Sequence, residues 1–575
     1  MRTNWTVTKP SASYFSFRPK LIECLRDYSR QRFAADLLAG VIVGIVALPL
    51  AIGFGIASGA SPATGIYTAI IGGFLVSALG GSRVQIGGPA GAFVGLVYAI
   101  LTQYGPSNLI LCTAMAGVLL FTLGAARMGS LIKYIPHPVT TGFTCGIAIT
   151  IISTQIKDFF GLPIAQVPAD FAGKLAGFAR ALPQLSWPTL ATGAFSLALM
   201  RFWPKAWGRR VPGSIVVVIV GTVLVRILHA PVATIGERFG FDAIPRRLPG
   251  LHWPSFDVHR LGDLVRPAIA ITLLGAIESL LSAVVADGMV DDRHDSNQEL
   301  MAQGIANFTG SFFGCLPVTG VIARTATNIR SGARTPVAGI VHSATLLAII
   351  LVAAPLARFV PLSVLAAVLI MVSINMGEWD EFTMLRRQAK SDAAVFLVTF
   401  GLTVVFDLTV AVEIGMILAA FLFIKRVSDT TEVDALDKIA SESGAFGHEK
   451  IPELPGGVLV YRVFGALLFG AADKLDSVLR RANADARVLI LHMPAVIAMD
   501  ATALNALETL REKLLRHGRH LILSGPHSQP RTLMEKAGFF ERLGAENVCA
   551  SLPAAVERGR ILVGQPRDPV SRGRP

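Results

Sequence analysis

The sequence predicts an α-helical polytopic membrane protein followed by a soluble α/β domain, and three observations carry that prediction. Apolar residues make up 52% of the 575 residues and charged residues only 16%, with a mean hydropathy of +0.57. That balance is far from an ordinary soluble domain. Apolar runs of about 20 residues, the length that crosses a bilayer as a helix, recur between Asp36 and Ile424 with few Lys, Arg, Asp or Glu among them. After Lys425 the chain reads as soluble sequence.

Full-length spans are predicted near 36–57, 62–80, 107–127, 137–157, 187–203, 213–229, 266–286, 295–313, 336–357, 361–376, 391–406 and 408–427. Two further apolar segments are interrupted: 89–102 after Gly-Gly-Pro-Ala-Gly, and 318–330 after Cys-Leu-Pro-Val-Thr-Gly. Counting both gives fourteen, an even number, so both termini lie on one side. Alternate loops hold Arg83; Arg127 and Lys133; Arg201, Lys205, Arg209 and Arg210; Arg324, Arg330 and Arg334; and Arg386, Arg387 and Lys390. The short loops between them (58–62, 103–107, 314–317) carry no Lys or Arg, so the basic set and both termini are expected in the cytosol.

This placement also accounts for the net charge of +13, which in a soluble chain would point to nucleic acid. No nucleic-acid partner is expected. The five cysteines are scattered without a CxxC spacing, which suggests neither a zinc site nor a disulfide framework, and no metal or cofactor is expected. The first 32 residues are polar and basic, so the first span is read as retained, not cleaved as a signal peptide.

The two interrupted segments carry the chemistry. Each follows a full span and a Gly-rich turn, Ala78–Ala90 before one and Gly310–Gly320 before the other, and each is the third span of a seven-span half. Paired Gly/Pro breaks at matching positions are the sequence sign of an inverted-repeat transporter. A half-helix that starts inside the membrane presents unpaired N–H groups and about half a positive charge. Two such ends facing each other suit a small oxyanion. The candidates are Ala90, Gly91 and Ala92 on the first, and Thr319, Gly320, Val321 and Ala323 on the second. Arg324 follows at once, placed either to add a full charge to the site or to snorkel to the cytosolic surface.

Glu278, in ITLLGAIESLLSAVVAD, is read as the single acidic residue deep inside a span. An ionised carboxylate there costs about 2.5–3.5 kcal/mol, which makes Glu278 a candidate proton carrier. Ser282, one turn on, shares its face, and the pair offers a place for a proton or a Na⁺. DDRHD at 291–295 is read as a salt-bridged loop, and Phe54 in the first span reads from its residue type alone as packing.

Beyond a polar stretch at 428–455, VLVYRVFGALLF, VLILHM and HLILSG read as strands. KLDSVLRRA, ALNALETLREKLLRHG and a segment near 530–537 read as helices, with Asp500 as an N-cap. No nucleophile–base pair or phosphate loop is present, so no enzyme activity is read.

Several stretches closely resemble the sulfate permease family, the bacterial relatives of solute carrier family 26: SPATGIYTAIIGGFL (61–75), IPHPVTTGFTCGIAI (135–149), ESLLSAVVAD (278–287), RHDSNQEL (293–300) and PVTGVIARTATNIRSGART (317–335). MDATALNALETL (499–510) resembles the strand-to-helix loop of a STAS domain, in whose regulatory members a phosphorylated Ser stands at the place of Thr502. The resemblance implies a seven-plus-seven inverted repeat with core and gate subdomains, elevator-like transport and a homodimer. It places Phe54, Ala90, residues 319–324, Glu278 and Ser282 at anion and coupling-ion contacts.

The expected organisation is a cytosolic segment 1–35, a transport domain 36–427, a linker 428–455, a STAS domain 456–560 and a polar tail 561–575. The expected function is secondary transport of a small inorganic or carboxylic anion, sulfate-like, across the bacterial inner membrane, coupled to H⁺. The alternatives are a sodium-coupled bicarbonate transporter and a passive anion channel or exchanger. Cyanobacterial sodium–bicarbonate relatives carry Asp and Thr where Glu278, Ser282 and Ala90 stand here, which favours protons over Na⁺.

The loop charges predict the outcome of a labelling experiment. Single cysteines at 60 and 316 should react with an impermeant maleimide from the periplasm, and those at 388 and 430 only after the membrane is opened. Labelling of 60 and 430 from the same side would overturn the span count.

Overall fold

The computed structural model describes residues 17–130, 136–164, 167–168, 171–204, 212–240, 242–251, 261–406, 408–429, 431–435, 454–468 and 486–564. Lys133, Lys205, Arg209, Arg210, most of the expected linker, the KLDSVLRRA helix and the end of the tail lie outside these residues. Contacts divide the chain into two units, Met1–Ala419 and Ala420–Pro575.

Among the described residues, fourteen helices fall on the fourteen predicted segments. The first seven are α1 (Arg30–Ala57), α2 (Pro62–Leu79), α3 (Phe93–Tyr104), α4 (Pro106–Ala125), α5 (His137–Phe160), α6 (Trp187–Arg201) and α7 (Gly213–Leu228). The second seven are α8 (Leu261–Val290), α9 (Ser296–Ser311), α10 (Ile322–Arg330), α11 (Val337–Ala357), α12 (Leu362–Met376), α13 (Lys390–Val405) and α14 (Leu408–Asp429). Their starts follow local chemistry. Ser29 and Ser61 accept from Arg32 N and Thr64 N to cap α1 and α2, and Asp295 accepts from Asn297 N and Gln298 N to cap α9. Prolines at the first or second position open α2, α4, α5 and α6. A π-helical turn, Thr68–Gly72, interrupts α2.

The packing pairs reveal the repeat. If α1–α7 match α8–α14, the pair α1–α11 has α8–α4 as its counterpart, and α2–α11 has α9–α4; all four pairs pack. Likewise α3 packs on α8 as α10 packs on α1, and α5 packs on α13 as α12 packs on α6. The first set (α1–α4 and α8–α11) forms one body. The second contains α5–α7 with α12 and α13.

Small residues let the backbones of the first body approach closely. Where α4 crosses α9, a Cβ on Gly304 would stand 2.5 Å from Phe121 N, and one on Gly117 would stand 2.5 Å from Phe308 N. Where α1 meets α11, a Cβ on Gly40 would stand 2.4 Å from the Ala338 carbonyl oxygen. Asp36, fully buried, closes this crossing: it accepts from Arg334 N, Thr335 N, the Thr335 hydroxyl and the Tyr28 phenol. Burial and the neighbouring Asp36 carboxylate push the Tyr28 phenol up to about 12.

The C-terminal unit is an α/β domain with a five-stranded sheet in the order β3–β4–β5–β6–β7: Glu432–Ala435, Val458–Leu467, Val488–Met499, His520–Ser524 and Val548–Cys549. The β3–β4 pair is antiparallel and the others are parallel. Strand β3 falls inside the stretch expected as a polar linker. Alternate burial of Val433 against exposed Glu432, and pairing with β4, make it an edge strand. The stretch beginning VLVYRVFGAL forms the single strand β4, with register shifts against β5. Helix α15 (Ala501–Arg516) is capped by Asp500, whose carboxylate accepts from Ala503 N at 2.8 Å, and Thr502 is exposed beside that cap. Helices α15 and α16 (Ser528–Lys536) and helix α17 (Leu552–Gly564) bury two separate apolar clusters.

The α4–α9 crossing leaves no room for a side chain at Gly304. Gly304→Val should lower the stability of the detergent-purified protein by about 1–3 kcal/mol or more, the usual cost of overpacking. Gly401→Val, at a position with open space, should stay within about 0.5 kcal/mol. Thermal unfolding of the two variants side by side checks this.

Candidate functional site

The two interrupted segments meet. After the Gly-rich turns, Gly87–Gly88 (β1) and Thr319–Gly320 (β2) pair as antiparallel strands, Gly87 opposite Gly320 and Gly88 opposite Thr319. Val321 N extends the ladder by donating to the Ile86 carbonyl at 2.9 Å. The half-helices begin at Phe93 and Ile322, later than the expected 89 and 318, with Gly87–Gly88 and Thr319–Val321 extended before them. The physical reason is pairing: two broken helices in an apolar interior leave backbone groups that only each other, or side chains, can satisfy.

Side chains from the long helices complete this satisfaction. Asn307 of α9 behaves as a third strand: its Oδ1 accepts from Val318 N and its Nδ2 donates to the Val318 carbonyl, both at 2.8 Å. Thr319 donates to the Gly275 carbonyl of α8 at 3.1 Å. Thr325 accepts from Ile86 N at 3.1 Å, and Asn328 donates to the Val84 carbonyl at 2.9 Å. Gln85 donates to both the carbonyl and the hydroxyl of Ser279 at 3.1 Å, and its amide fills the space where Gly320 lacks a side chain.

The N-terminal ends of the half-helices themselves stay open. Neither α3 nor α10 has a side-chain cap, so the N–H groups at Gly91–Ala92 and at Ile322–Ala323 keep their donor capacity. Ala90, Ala92 and Val321 are buried in one apolar cluster with Phe54, and the Phe54 ring lies against Gly91. Thus Phe54, Ala90, Gly91, Ala92 and Val321 come together, whereas Thr319 and Gly320 are consumed by β2.

Arg324 is 1% exposed and so does not snorkel. Its Nη2 donates to the Pro89 carbonyl at 3.2 Å across the junction, and its Nη1 sits over Gly88, where a Cβ would approach to 2.3 Å. Nε and Nη1 have no partner. Glu278 is the charged group facing it, without ion-pair contact, and Glu278 Oε2 is buried and unpartnered. Ser282 does not bond to Glu278; its hydroxyl donates to Thr325 Oγ1 at 3.4 Å, tying α8 to α10.

Glu278 is also not the only buried acid. Glu299 of α9 is fully buried, accepting from Gly81 N at 2.9 Å and Gln303 Nε2 at 3.0 Å. The sequence does not mark it, because α9 is polar for a span and Gly81 lies in a turn more than 200 residues away. His342 of α11 is fully buried with neither ring nitrogen partnered. The 291–295 loop carries an Arg83–Asp292 ion pair at 2.8 Å and a His294–Asp287 pair at 2.7 Å.

A cavity of about 1380 Å³ reaches Gly91 and Ala92 at its inner end and leads out past Ser61, Thr64 and Gly314. Among its described lining residues, Lys157, Lys174 and Arg238 are basic and Asp158 is acidic, with Arg238 and Asp158 paired at 2.5 Å.

This geometry has relatives. Residues 33–399 match the model of the sulfate permease family, and residues 450–555 match that of the STAS domain. The chain belongs to the sulfate permease family. This permease chain is 38% identical over 91% of its length to the putative sulfate transporter YvdB of Bacillus subtilis, covering 97% of that protein. It is 30% identical to the bicarbonate transporter BicA of Picosynechococcus over 91% of its own length and 94% of BicA. Its fold is that of the murine solute carrier 26 member A9 anion transporter in the inward-facing state, with a TM-score of 0.82 at 19% identity, covering 97% of this chain and 96% of that one. The permease is a multi-pass membrane protein of an anion-transporter family with a C-terminal STAS domain, and it is not an enzyme.

The Asn307–Val318 pairing predicts a stability effect. Asn307→Leu orphans a buried N–H and a buried carbonyl, at about 1–3 kcal/mol each. Asn307→Asp should retain the bond from Val318 N and lose less, as read by thermal unfolding in detergent.

Proposed function

We propose that the chain is a secondary active transporter of a small oxyanion, sulfate-like, that binds where α3 and α10 begin and travels with protons. The observation that carries the reading is the pair of uncapped half-helix ends held against each other by the β1–β2 ladder, with Arg324 buried beside them. Together the ends supply about one positive charge and several N–H donors, with small side chains that leave the backbone reachable. The cavity ending at Gly91 and Ala92 supplies an access route, and Lys157, Lys174 and Arg238 along it give that route a net positive lining that favours anions.

The body made of α1–α4 and α8–α11 carries both half-helices, and α5–α7 with α12 and α13 form the frame against which it moves in an elevator-like cycle. The working unit is a homodimer in the bacterial inner membrane, with both termini in the cytosol. Supports for the orientation are the basic loops at Arg83, Arg127 and Arg386.

Coupling follows from charge. A divalent anion entering alone against about 100 mV, inside negative, opposes about 4.6 kcal/mol, twice the single-charge value. Accumulation therefore needs accompanying cations. Glu278, with a buried oxygen that no hydrogen bond stabilises and Arg324 facing it, is the group placed to carry a proton with the moving body. Bicarbonate is the second reading, favoured by the 30% identity to a protein named for it.

Two experiments test the proposal. Ala90→Asp or Val321→Asp should abolish binding of radiolabelled sulfate and of competing anions while the protein remains folded; undiminished binding in either would refute the placement. In proteoliposomes, Glu278→Gln should keep anion exchange but lose accumulation driven by an acid exterior. Accumulation that survives in this variant would remove Glu278 from the coupling role, and sodium-dependent uptake by the wild type would replace the proton.

A further inference from the structure

Away from the anion site, three metal-ligating side chains converge from the start of α5, the turn after α12 and the short helix that follows it. His137 is the first residue of α5, Glu378 follows Gly377 at the end of α12, and Glu381 sits in the short helix Asp380–Met384. One ligand atom from each lies within 4.8 Å of the others. We propose that His137, Glu378 and Glu381 bind a divalent transition cation that ties the start of α5 to the turn after α12.

The arrangement fits an ion better than it fits an empty surface. Glu378 and Glu381 are three residues apart on one turn, so their carboxylates share a side. Two carboxylates this close repel, and among the described residues neither forms an ion pair with a Lys or Arg. The turn that presents them is rigid. Trp379 Nε1 donates to the Ile374 carbonyl at 2.7 Å, and the Phe382 ring packs edge-on against Phe396 and Phe400 at 4.9 and 5.1 Å. Gln388 Nε2 donates to Glu381 Oε2 at 2.6 Å, the outer hydrogen bond that orients a ligating carboxylate.

The donor set selects the cation. Metal–ligand bonds of roughly 2.0–2.2 Å place neighbouring donor atoms roughly 3–4 Å apart, a spacing these side chains reach with small rotamer adjustments. One imidazole with two carboxylates suits Zn²⁺, Mn²⁺, Fe²⁺ or Co²⁺, whereas Mg²⁺ and Ca²⁺ favour oxygen-only sets. His137 and Glu378 are exposed, leaving the remaining positions to water, which describes a reversible surface site. Helix α5 packs on both α12 and α13, so an ion here locks two contacting helices at their ends.

The test uses the full chain, purified in detergent and stripped with EDTA, with Zn²⁺ as the probe. Calorimetric titration should show about one saturable equivalent per chain, accompanied by a rise in Tm that EDTA reverses. His137→Ala and Glu378→Gln should each weaken binding at least about tenfold, and Gln388→Ala by about tenfold through the orienting bond. His229→Ala, at another exposed histidine, should change nothing. If His137→Ala fails to fold, Glu381→Gln and Gln388→Ala carry the comparison. The absence of saturable zinc binding to the wild type, or equal binding in the variants, overturns the site. Because the readout is metal binding, its failure leaves the anion-transport reading intact, and failure of that reading leaves this site intact.

Discussion

A helix that stops inside a membrane leaves backbone N–H and C=O groups with no water to bind, and the rest of the transport unit answers that constraint. Here two helices are broken at the same depth, and each break satisfies the other. The four-residue ladder of Gly87, Gly88, Thr319 and Gly320 consumes some of the groups; Asn307, Thr319 and Thr325 consume others. The donors left over, at the first turns of α3 and α10, are therefore concentrated at one place instead of being scattered through the interior.

That economy dictates the surrounding side chains. The ladder can form only if α8 and α9 come near enough for Gly275 and Asn307 to reach it, which in turn asks for the tight α4–α9 crossing at Gly117 and Gly304. Arg324 can lie over Gly88 and hold Pro89 because no Cβ stands in its way. Glu278, facing Arg324 from α8, then meets a cation carried by the half-helix α10 of its own half of the repeat. A carboxylate on α8, a guanidinium on α10 and two uncapped helix ends thus lie close together in the interior, the ends and the guanidinium held beside the paired backbone.

Much of this was legible in the residues. The breaks at GGPAG and CLPVTG announced themselves as Gly/Pro interruptions at matching positions, and the fourteen apolar runs became fourteen helices with ends shifted by a few residues. What the pattern could not carry was pairing over distance. Nothing local marks Thr319 and Gly320 as strand, because their partners sit more than 230 residues earlier. Glu299 stands in the polar first turn of α9, and only the contact with Gly81, from a distant turn, accounts for its burial. Strand β3 was hidden in charged sequence because an edge strand needs only one buried residue in two. His137 and Glu378 are likewise ordinary surface residues until α5 and α12 are packed together.

The β1–β2 ladder also sets the order in which this chain can be made. Synthesis delivers Gly87 and Gly88 to the membrane long before Thr319 and Gly320 leave the ribosome, and α4 waits similarly for α9. During that interval the first half holds an unfinished α3 entrance with exposed backbone polarity and an unfilled groove. The nascent protein must therefore keep its early helices at the insertion machinery, or in contact with water, until the second half arrives. A ribosome stalled between residues 130 and 300 would leave a fragment unable to close on itself, an open-ended half that membrane proteases can recognise.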